Sequence, residues 1–421
     1  MSKIKSLNPK IWEISYCFFY IVIGTSLIYR MNRSGGLGND FQVFYAAGES
    51  LSKVGNPYVD KNYLNGPLFA LLFAQLSKIS YWVALNLLRF LSVLLMPVLF
   101  WIQCRVLNLH LSFRSYIKLS AVLILTFPSL TSLSYGQISV IYYSVLALLI
   151  SSNSLKNKNI RLSLQAVLFL ILIDYKPHIF LLILVFWFFL LDNRYLFFKY
   201  LILFSSLYLI YFTKFTRSNL IIAWIENLRN RGNGNLKKGD LLTLWSMPLY
   251  FEIIFVFVFT ICIYYLYLNK LSTLNRIKDT NLGFILFLGT ISLLVPYWHP
   301  QDSVFFYSAM ILMSFKLCFS NIEQKFIFLG FGLSLTWSST IFGFAFLLIV
   351  LGIMLRLFKY DCYKLKSFSN LVILIIPSLL FVIISFYSLD LGALRRLFYF
   401  SSELILFITI LNKMNKLELH K

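Results

Sequence analysis

Long, unbroken apolar runs, separated by short polar or basic stretches, dominate the pattern along this chain. The clearest runs are Ile11–Tyr29, Ala121–Ser134, Ile179–Leu191, Tyr200–Phe212, Pro248–Leu268, Leu282–Pro296, Ile341–Leu357, Leu371–Phe386 and Leu404–Leu411 with its flanks. An α-helix needs about 20 mostly apolar residues to cross a bilayer, and fewer when it packs inside a bundle. Because the runs are continuous and do not alternate with polar positions, they predict transmembrane helices and exclude a transmembrane barrel.

The pattern therefore predicts an all-α fold, a polytopic transmembrane helical bundle in which residues 1–421 form a single domain. We expect about 12–14 crossings, an even number if both termini are cytoplasmic. Lys3, Lys5 and Lys10 precede the first apolar run, and no small-residue cleavage site follows it, so we expect an uncleaved first span with its N-terminus inside. This orientation makes residues 30–66 the first extracytoplasmic loop and 214–247 a second one.

The first extracytoplasmic loop contains an amphipathic segment from Asp40 to Lys53. Its apolar residues recur at helical spacing and predict a short helix lying on the membrane surface: Phe41, Phe44, Tyr45, Gly48 and Leu51. The apolar run Leu68–Leu76 that follows is too short for an ordinary span. We interpret it as a partial or re-entrant helix.

Composition and charge support a membrane protein and argue against other classes. The chain is 59% hydrophobic and 13% charged, which is about half the charged fraction of a soluble domain. The net charge of +22 is explained by basic residues in cytoplasmic loops, so nucleic acid is not expected as a partner. The five cysteines are scattered without a metal-ligand or disulfide spacing, and no nucleotide-binding motif is present. We therefore expect neither a metal nor a cofactor.

Three polar positions between apolar runs are candidates for chemistry, and each has a structural alternative. Asp40 is either the N-cap of the amphipathic helix or a general base at the membrane surface. Asp174, Lys176 and His178 form either an interfacial loop with an Asp–Lys pair or a functional cluster at membrane depth. His299, in the corner V-P-Y-W-H-P-Q-D, either binds an anion or moves a proton, or is incidental in an interfacial aromatic belt.

Two further segments carry weaker signals. Gln137 belongs to a Tyr-Gly-Gln turn that by itself indicates a hairpin connection. Residues 214–247 carry six basic residues against two acidic ones, which is unusual for an external loop. Either the loop is translocated whatever its charge, or it binds phosphate groups. For the second case Arg229 and Arg231 are the preferred pair, because guanidinium groups bind phosphate bidentately.

The order of several short motifs resembles that of a known family. The motifs are N-D-F-Q-V-F-Y-A-A-G-E-S-L at 39–51, G-N-P-Y at 55–58, G-P-L-F-A-L-L-F-A-Q-L at 66–76, Y-G-Q-I-S at 135–139, Lys176–Pro177 and Trp298–His299. In this order they look like the polytopic GT-C class glycosyltransferases of family 87, which are mannosyltransferase-like. Two positions depart from the family pattern. Asn65–Gly66 replace a Tyr-Pro, and Pro300 stands where a second histidine is expected.

The resemblance implies a GT-C-like fold and an inverting transfer of a sugar, such as mannose, from a polyprenyl-phosphate donor. Asp40 would be the general base, and the acceptor would be a glycan or glycolipid on the outer side of the cytoplasmic membrane. The departing phosphate needs cations, for which His299, Lys176, Arg229 and Arg231 are candidates, so no metal is demanded. Gln137 would line the substrate site. The aromatic residues Tyr45, Tyr58 and Trp298 would stack on sugar or lipid, or act as interfacial anchors.

Two other functions fit a helical membrane protein with a basic external loop. A lipid-linked oligosaccharide polymerase or ligase would use that loop as its main catalytic element. A transporter or lipid flippase would show paired repeats with broken helices, and the sequence has none.

Overall fold

A computed structural model of the chain describes residues 9–33, 38–60, 62–106, 111–176, 193–214, 219–232 and 303–316, with a few isolated residues besides. Within this part of the chain the regular elements are all helical and no strand occurs, as predicted. They are α1 (Pro9–Arg33), α2 (Asn39–Val54), α3 (Pro67–Leu76), α4 (Tyr81–Val106), α5 (Phe113–Ile124), α6 (Phe127–Tyr135), α7 (Ser139–Ser151), α8 (Lys158–Tyr175), α9 (Arg194–Lys214), α10 (Leu220–Gly232) and α11 (Val304–Lys316), with short 3-10 turns at Pro57–Val59 and Ser152–Ser154.

The chain divides into two compact units. One comprises residues 27–95 and 132–236, and the other comprises residues 1–26, 96–131 and 237–421. The first of these units, called here the loop unit, contains most of the predicted site residues. In the other unit, α11 packs against α5, and the Tyr307 hydroxyl lies 2.6 Å from Ser402 Oγ.

Three of the described helices are long and apolar enough to cross a membrane. They are Glu13–Arg33, Tyr81–Arg105 and Arg194–Lys214, and a fourth crossing arises if α5 and α6, which are bent by 69°, form one broken span. On α4, large apolar side chains are exposed every three or four residues, as a lipid-facing helix requires: Val83, Leu87, Leu91, Leu94, Val98 and Trp101. The predicted spans Ile179–Leu191, Pro248–Leu268, Leu282–Pro296, Ile341–Leu357 and Leu371–Phe386 lie outside the described residues apart from Leu184, and of Leu404–Leu411 only isolated helical residues are described.

The amphipathic segment of the first loop is a helix, as predicted, but its apolar face is covered by the protein. On α2, Phe41 and Phe44 are buried and pack against Phe73 of α3, with ring centroids 5.8 and 5.2 Å apart. A Cβ at Gly48 would lie 2.3 Å from the Phe73 carbonyl oxygen, so glycine permits this close approach. The apolar face of α2, from which we predicted a helix on the membrane surface, therefore packs against α3.

The short apolar run Leu68–Leu76 lies in a separate short helix, α3. Pro67 occupies its first turn, and the helix ends at Leu76 before a tight turn into α4. At 1.5 Å per residue its ten residues extend about 15 Å, roughly half of the hydrocarbon core. The helix is thus too short to cross a bilayer, in agreement with the prediction of a partial helix.

Candidate functional site

Two glycines in left-handed conformations bring the predicted residues Asp40 and Gln137 to one place. Gly38 has a φ of 64° and Gly136 a φ of 66°. A Cβ on either glycine would lie within 2.8 Å of a methyl carbon of Leu85 on α4, so both turns close over this leucine. Asp40 follows the first glycine by two residues, and Gln137 directly follows the second.

Gly38 is also the N-cap of α2, because the helix begins at Asn39, and as a glycine it makes no side-chain cap bond. Asp40 is therefore not the N-cap, and that structural alternative is wrong. The Asp40 carboxylate lies in the first turn of α2, where the helix dipole favours negative charge. The side chain is half-buried.

Gly136→Ala tests this turn. The variant is expected to lower the free energy of unfolding by about 2–4 kcal/mol, because the added Cβ meets Leu85 at 2.7 Å and Phe41 at 2.6 Å in addition to the cost of a positive φ. Thermal unfolding of the purified protein in detergent measures the effect. A loss of no more than about 1–2 kcal/mol, the cost of the left-handed backbone alone, would contradict the packing argument.

Arg89 fixes the end of α6 just before the Gly136 turn. This arginine of α4 is 1% exposed. Its Nε donates to the carbonyl of Leu133 at 2.7 Å, its Nη2 donates to the carbonyl of Ser134 at 2.9 Å, and its Nη1 donates to Asn32 Oδ1. A guanidinium group is a suitable partner for the final carbonyls of a helix, which are otherwise unpaired. Sequence reasoning missed Arg89, although a single charge inside an apolar run is itself a signal.

A chain of hydrogen bonds links the Asp40 carboxylate to the interior of the loop unit. Gln137 Nε2 donates to Asp40 Oδ2, across 97 positions of sequence. The Tyr175 hydroxyl donates to Gln137 Oε1 at 3.1 Å, and Ser139 Oγ lies 3.4 Å from the same hydroxyl. Gln137 is 7% exposed and Tyr175 is 2% exposed, whereas Asp40 is half-buried. Asp40 is thus the least buried member of the chain.

Lys176 lies next to this chain. Its ammonium nitrogen is 5.4 Å from the centroid of the Tyr175 ring, which is within cation–π range. Tyr175 is also stacked on Tyr142, with centroids 3.8 Å apart and ring planes 17° from parallel. A positive charge is therefore held near the polar chain that ends at Asp40.

The predicted pair between Asp174 and Lys176 does not form, because Asp174 caps α3. This carboxylate is 2% exposed. Oδ1 accepts from the Leu68 amide at 3.2 Å, Oδ2 accepts from the Phe69 amide at 2.8 Å, and the Tyr208 hydroxyl donates to Oδ1. The first amides of a helix are unpaired and attract negative charge. Asp174 supplies that cap from α8, in place of Gly66, which has no side chain.

Tyr45 and Tyr58, which were predicted to stack on sugar or lipid, donate hydrogen bonds to backbone carbonyls in this structure. The Tyr45 hydroxyl donates to the carbonyl of Ile79 at 2.7 Å. Tyr58 is 8% exposed, and its hydroxyl donates to the carbonyl of Asn65 at 3.2 Å. Burial raises the pKa of Tyr58 well above its usual value, and the nearby Asp174 raises this pKa further, so the phenol remains a donor.

The segment 214–247, predicted as a basic loop, contains the helix α10. Trp224 Nε1 donates to the carbonyl of Leu64 at 2.8 Å, and the Asn227 amide donates to the carbonyl of Tyr63. Arg229 and Arg231 lie in this helix, although their side chains lie outside the described residues, as do His178, Trp298 and His299. The second predicted external segment therefore contacts the first one.

A comparison with models of known protein families found no match, and a comparison with curated proteins likewise found none. The described fold is that of a helical membrane protein, with three or four helices apolar enough to cross a bilayer. Among the described residues, Asp40, Gln137 and Tyr175 form a hydrogen-bonded chain, and Lys176 lies beside Tyr175.

Proposed function

We propose that this chain is a membrane glycosyltransferase. It moves a sugar, a hexose such as mannose, from a polyprenyl-phosphate donor to a glycan or glycolipid acceptor on the extracytoplasmic side. The observation that carries the proposal is the hydrogen bond from Gln137 to Asp40. These residues belong to two distant motifs of the resemblance to family 87, and they meet at a half-buried carboxylate.

The proposed reaction is a single displacement with inversion. An acceptor hydroxyl attacks the anomeric carbon, the bond from that carbon to the phosphate oxygen breaks, and the hydroxyl proton passes to the Asp40 carboxylate. The polyprenyl phosphate leaves with the bonding electron pair. The Gln137 amide orients this carboxylate, which is the group that accepts the proton.

The leaving phosphate requires positive charge. Among the residues whose side chains the structure describes, Lys176 is the candidate because it lies beside Tyr175. Arg229, Arg231 and His299 remain candidates from the sequence. The contact of α10 with residues 63 and 64 supports this assignment, because it attaches the basic segment to the loop that carries Asp40. It also fits a topology in which both segments lie on the same side of the membrane.

The function is tested by supplying membranes that contain the protein with radiolabelled polyprenyl-phosphate mannose. We expect label in a glycan or glycolipid product, and no label from a nucleotide sugar in membranes unable to make the lipid donor. Transfer of a preassembled oligosaccharide would indicate a polymerase or ligase. Movement of the lipid-linked sugar across proteoliposomes, without a new glycosidic bond, would indicate a flippase and contradict the proposal.

Gln137→Leu is expected to move the acid limb of the pH–rate profile upward by about one pH unit. Gln137 donates to the charged carboxylate, so its loss favours the protonated form, which cannot act as a base. As the pH is lowered, the variant therefore loses transfer activity at a higher pH than the wild type does, and raising the pH restores the activity. Initial rates between pH 4 and 9 measure the shift. A lower rate with an unmoved limb would contradict the role given to this hydrogen bond.

A further inference from the structure

We infer that Tyr175 is a positioning residue, which acts on Asp40 through the side chain of Gln137. This inference rests on the proposed function, because it assigns to Asp40 the role of base. The contacts that carry it form the chain from Ser139 through Tyr175 and Gln137 to Asp40. Neither the sequence motifs nor the apolar pattern single out Tyr175, which lies at the last position of α8.

The chemistry of the groups sets the direction of every hydrogen bond in this chain. An ionised carboxylate only accepts, so the amide nitrogen of Gln137 must face Asp40. The amide oxygen then faces the Tyr175 hydroxyl, which must donate to it. Since a phenol has one proton, Ser139 is the donor in its contact with Tyr175. The four side chains therefore have one consistent arrangement while Asp40 is ionised.

Tyr175 is suited to anchor this arrangement because its own position is fixed from several sides. One face of its ring stacks on Tyr142, and the ring also contacts Phe69, with centroids 5.6 Å apart. The carbonyl of Tyr175 accepts from the Asn65 amide at 2.6 Å. Gln137, in contrast, has three rotatable side-chain bonds, so its amide depends on partners at both ends to hold one orientation.

The function of Tyr175 follows from this difference. With the hydroxyl in place, the amide oxygen of Gln137 is held by Tyr175, and the amide nitrogen therefore donates its proton to one carboxylate oxygen of Asp40. Without the hydroxyl, the amide rotates more freely and the carboxylate loses part of its orientation and of its stabilisation as an anion. We expect a lower turnover number with an unchanged KM for donor and acceptor, since binding groups are untouched.

The test compares Tyr175→Phe with Tyr142→Phe. Both variants remove one hydroxyl from the same stacked pair and keep the ring. The readout is labelling of Asp40 by dicyclohexylcarbodiimide in membranes, which modifies only protonated carboxyls and is quantified by peptide mass spectrometry at a series of pH values. We expect the labelling midpoint to move upward by about half a pH unit in Tyr175→Phe and to stay at the wild-type value in Tyr142→Phe. Lys176 is retained in both variants, so its charge does not contribute to the difference.

Ser139→Ala provides a second, milder variant, which is expected to shift the midpoint in the same direction by a smaller amount. Superimposable profiles for wild type and Tyr175→Phe, with a shifted profile for Gln137→Leu, would overturn the inference and leave the Asp40–Gln137 contact intact. Equal shifts in Tyr175→Phe and Tyr142→Phe would overturn it as well, because they would reflect general loosening. A shift specific to Tyr175→Phe supports the inference.

The role of Asp40 as base, on which the inference rests, fails by a different result, and the transfer function itself fails if no labelled product forms from the lipid-linked donor. If Asp40→Asn leaves sugar transfer unchanged, Asp40 is not the base, whatever the labelling profile shows. If Asp40→Asn abolishes transfer while Tyr175→Phe changes neither the turnover number nor the labelling midpoint, the function stands and the positioning role falls.

Discussion

Replacing Asp40 with asparagine is expected to reduce sugar transfer by about 10²–10⁴-fold, the range by which general bases contribute. The amide is nearly the same size as the carboxylate and keeps an oxygen for the Gln137 Nε2 proton. It cannot take a proton from the acceptor hydroxyl. The loss should therefore appear in the turnover number, with the KM of the lipid donor little changed. Initial rates in membranes, at matched protein levels, measure the effect.

A matched control is available in the same loop. The Asp60 side chain accepts a hydrogen bond from the backbone amide of Asn62 within its own turn, and an asparagine at position 60 makes the same contact. Asp60→Asn should retain wild-type transfer and stability. Near-normal transfer by a well-folded Asp40→Asn protein would remove the base from the mechanism. An equal loss in both variants would show that the effect comes from the charge of the loop and not from a base.

Asp174→Ala is expected to lower the free energy of unfolding by about 3 kcal/mol or more. The change leaves the amides of Leu68 and Phe69 and the Tyr208 hydroxyl without their buried acceptor. Each such orphaned group costs about 1–3 kcal/mol. The midpoint of thermal unfolding, followed by circular dichroism in detergent, measures the loss.

Tyr208→Phe separates the parts of this effect. It removes one donor to Asp174 and leaves the cap of α3 in place, so a smaller loss of about 1 kcal/mol is expected. Asp174→Asn should lie between the two, because its amide retains one acceptor but turns a second donor toward the helix amides. If Asp174→Ala unfolds at the same temperature as Tyr208→Phe, the cap does not stabilise α3.

Local features of the fold could be predicted from the sequence. The helix α2 follows from apolar residues at helical spacing, and the short α3 follows from the length of its apolar run and from Pro67. The contacts of these helices could not be predicted in the same way. The apolar face of α2 has the same pattern whether it lies on lipid or on α3, because both surroundings reward burial of Phe41 and Phe44.

The candidate site could be predicted only in part. The order of family-like motifs pointed to Asp40 and Gln137, but their contact joins residues that are 97 positions apart. The role of Asp174 was missed because the amides it binds are 105 and 106 positions away. Tyr175 was missed for another reason. A tyrosine among apolar residues is ordinary in a membrane helix, and only its partner shows that the hydroxyl has a role.

The end of α8 places two neighbouring residues, Asp174 and Tyr175, in different tasks, one at the start of α3 and the other at Gln137. Successive side chains on a helix are separated by about 100°, so both contacts require one register of this last turn. An insertion or deletion here would rotate both residues away together. Tolerance to changes in length is therefore expected at the opposite end of α8, in the exposed turn at residues 154–157, where one added residue leaves the register of the final turn unchanged.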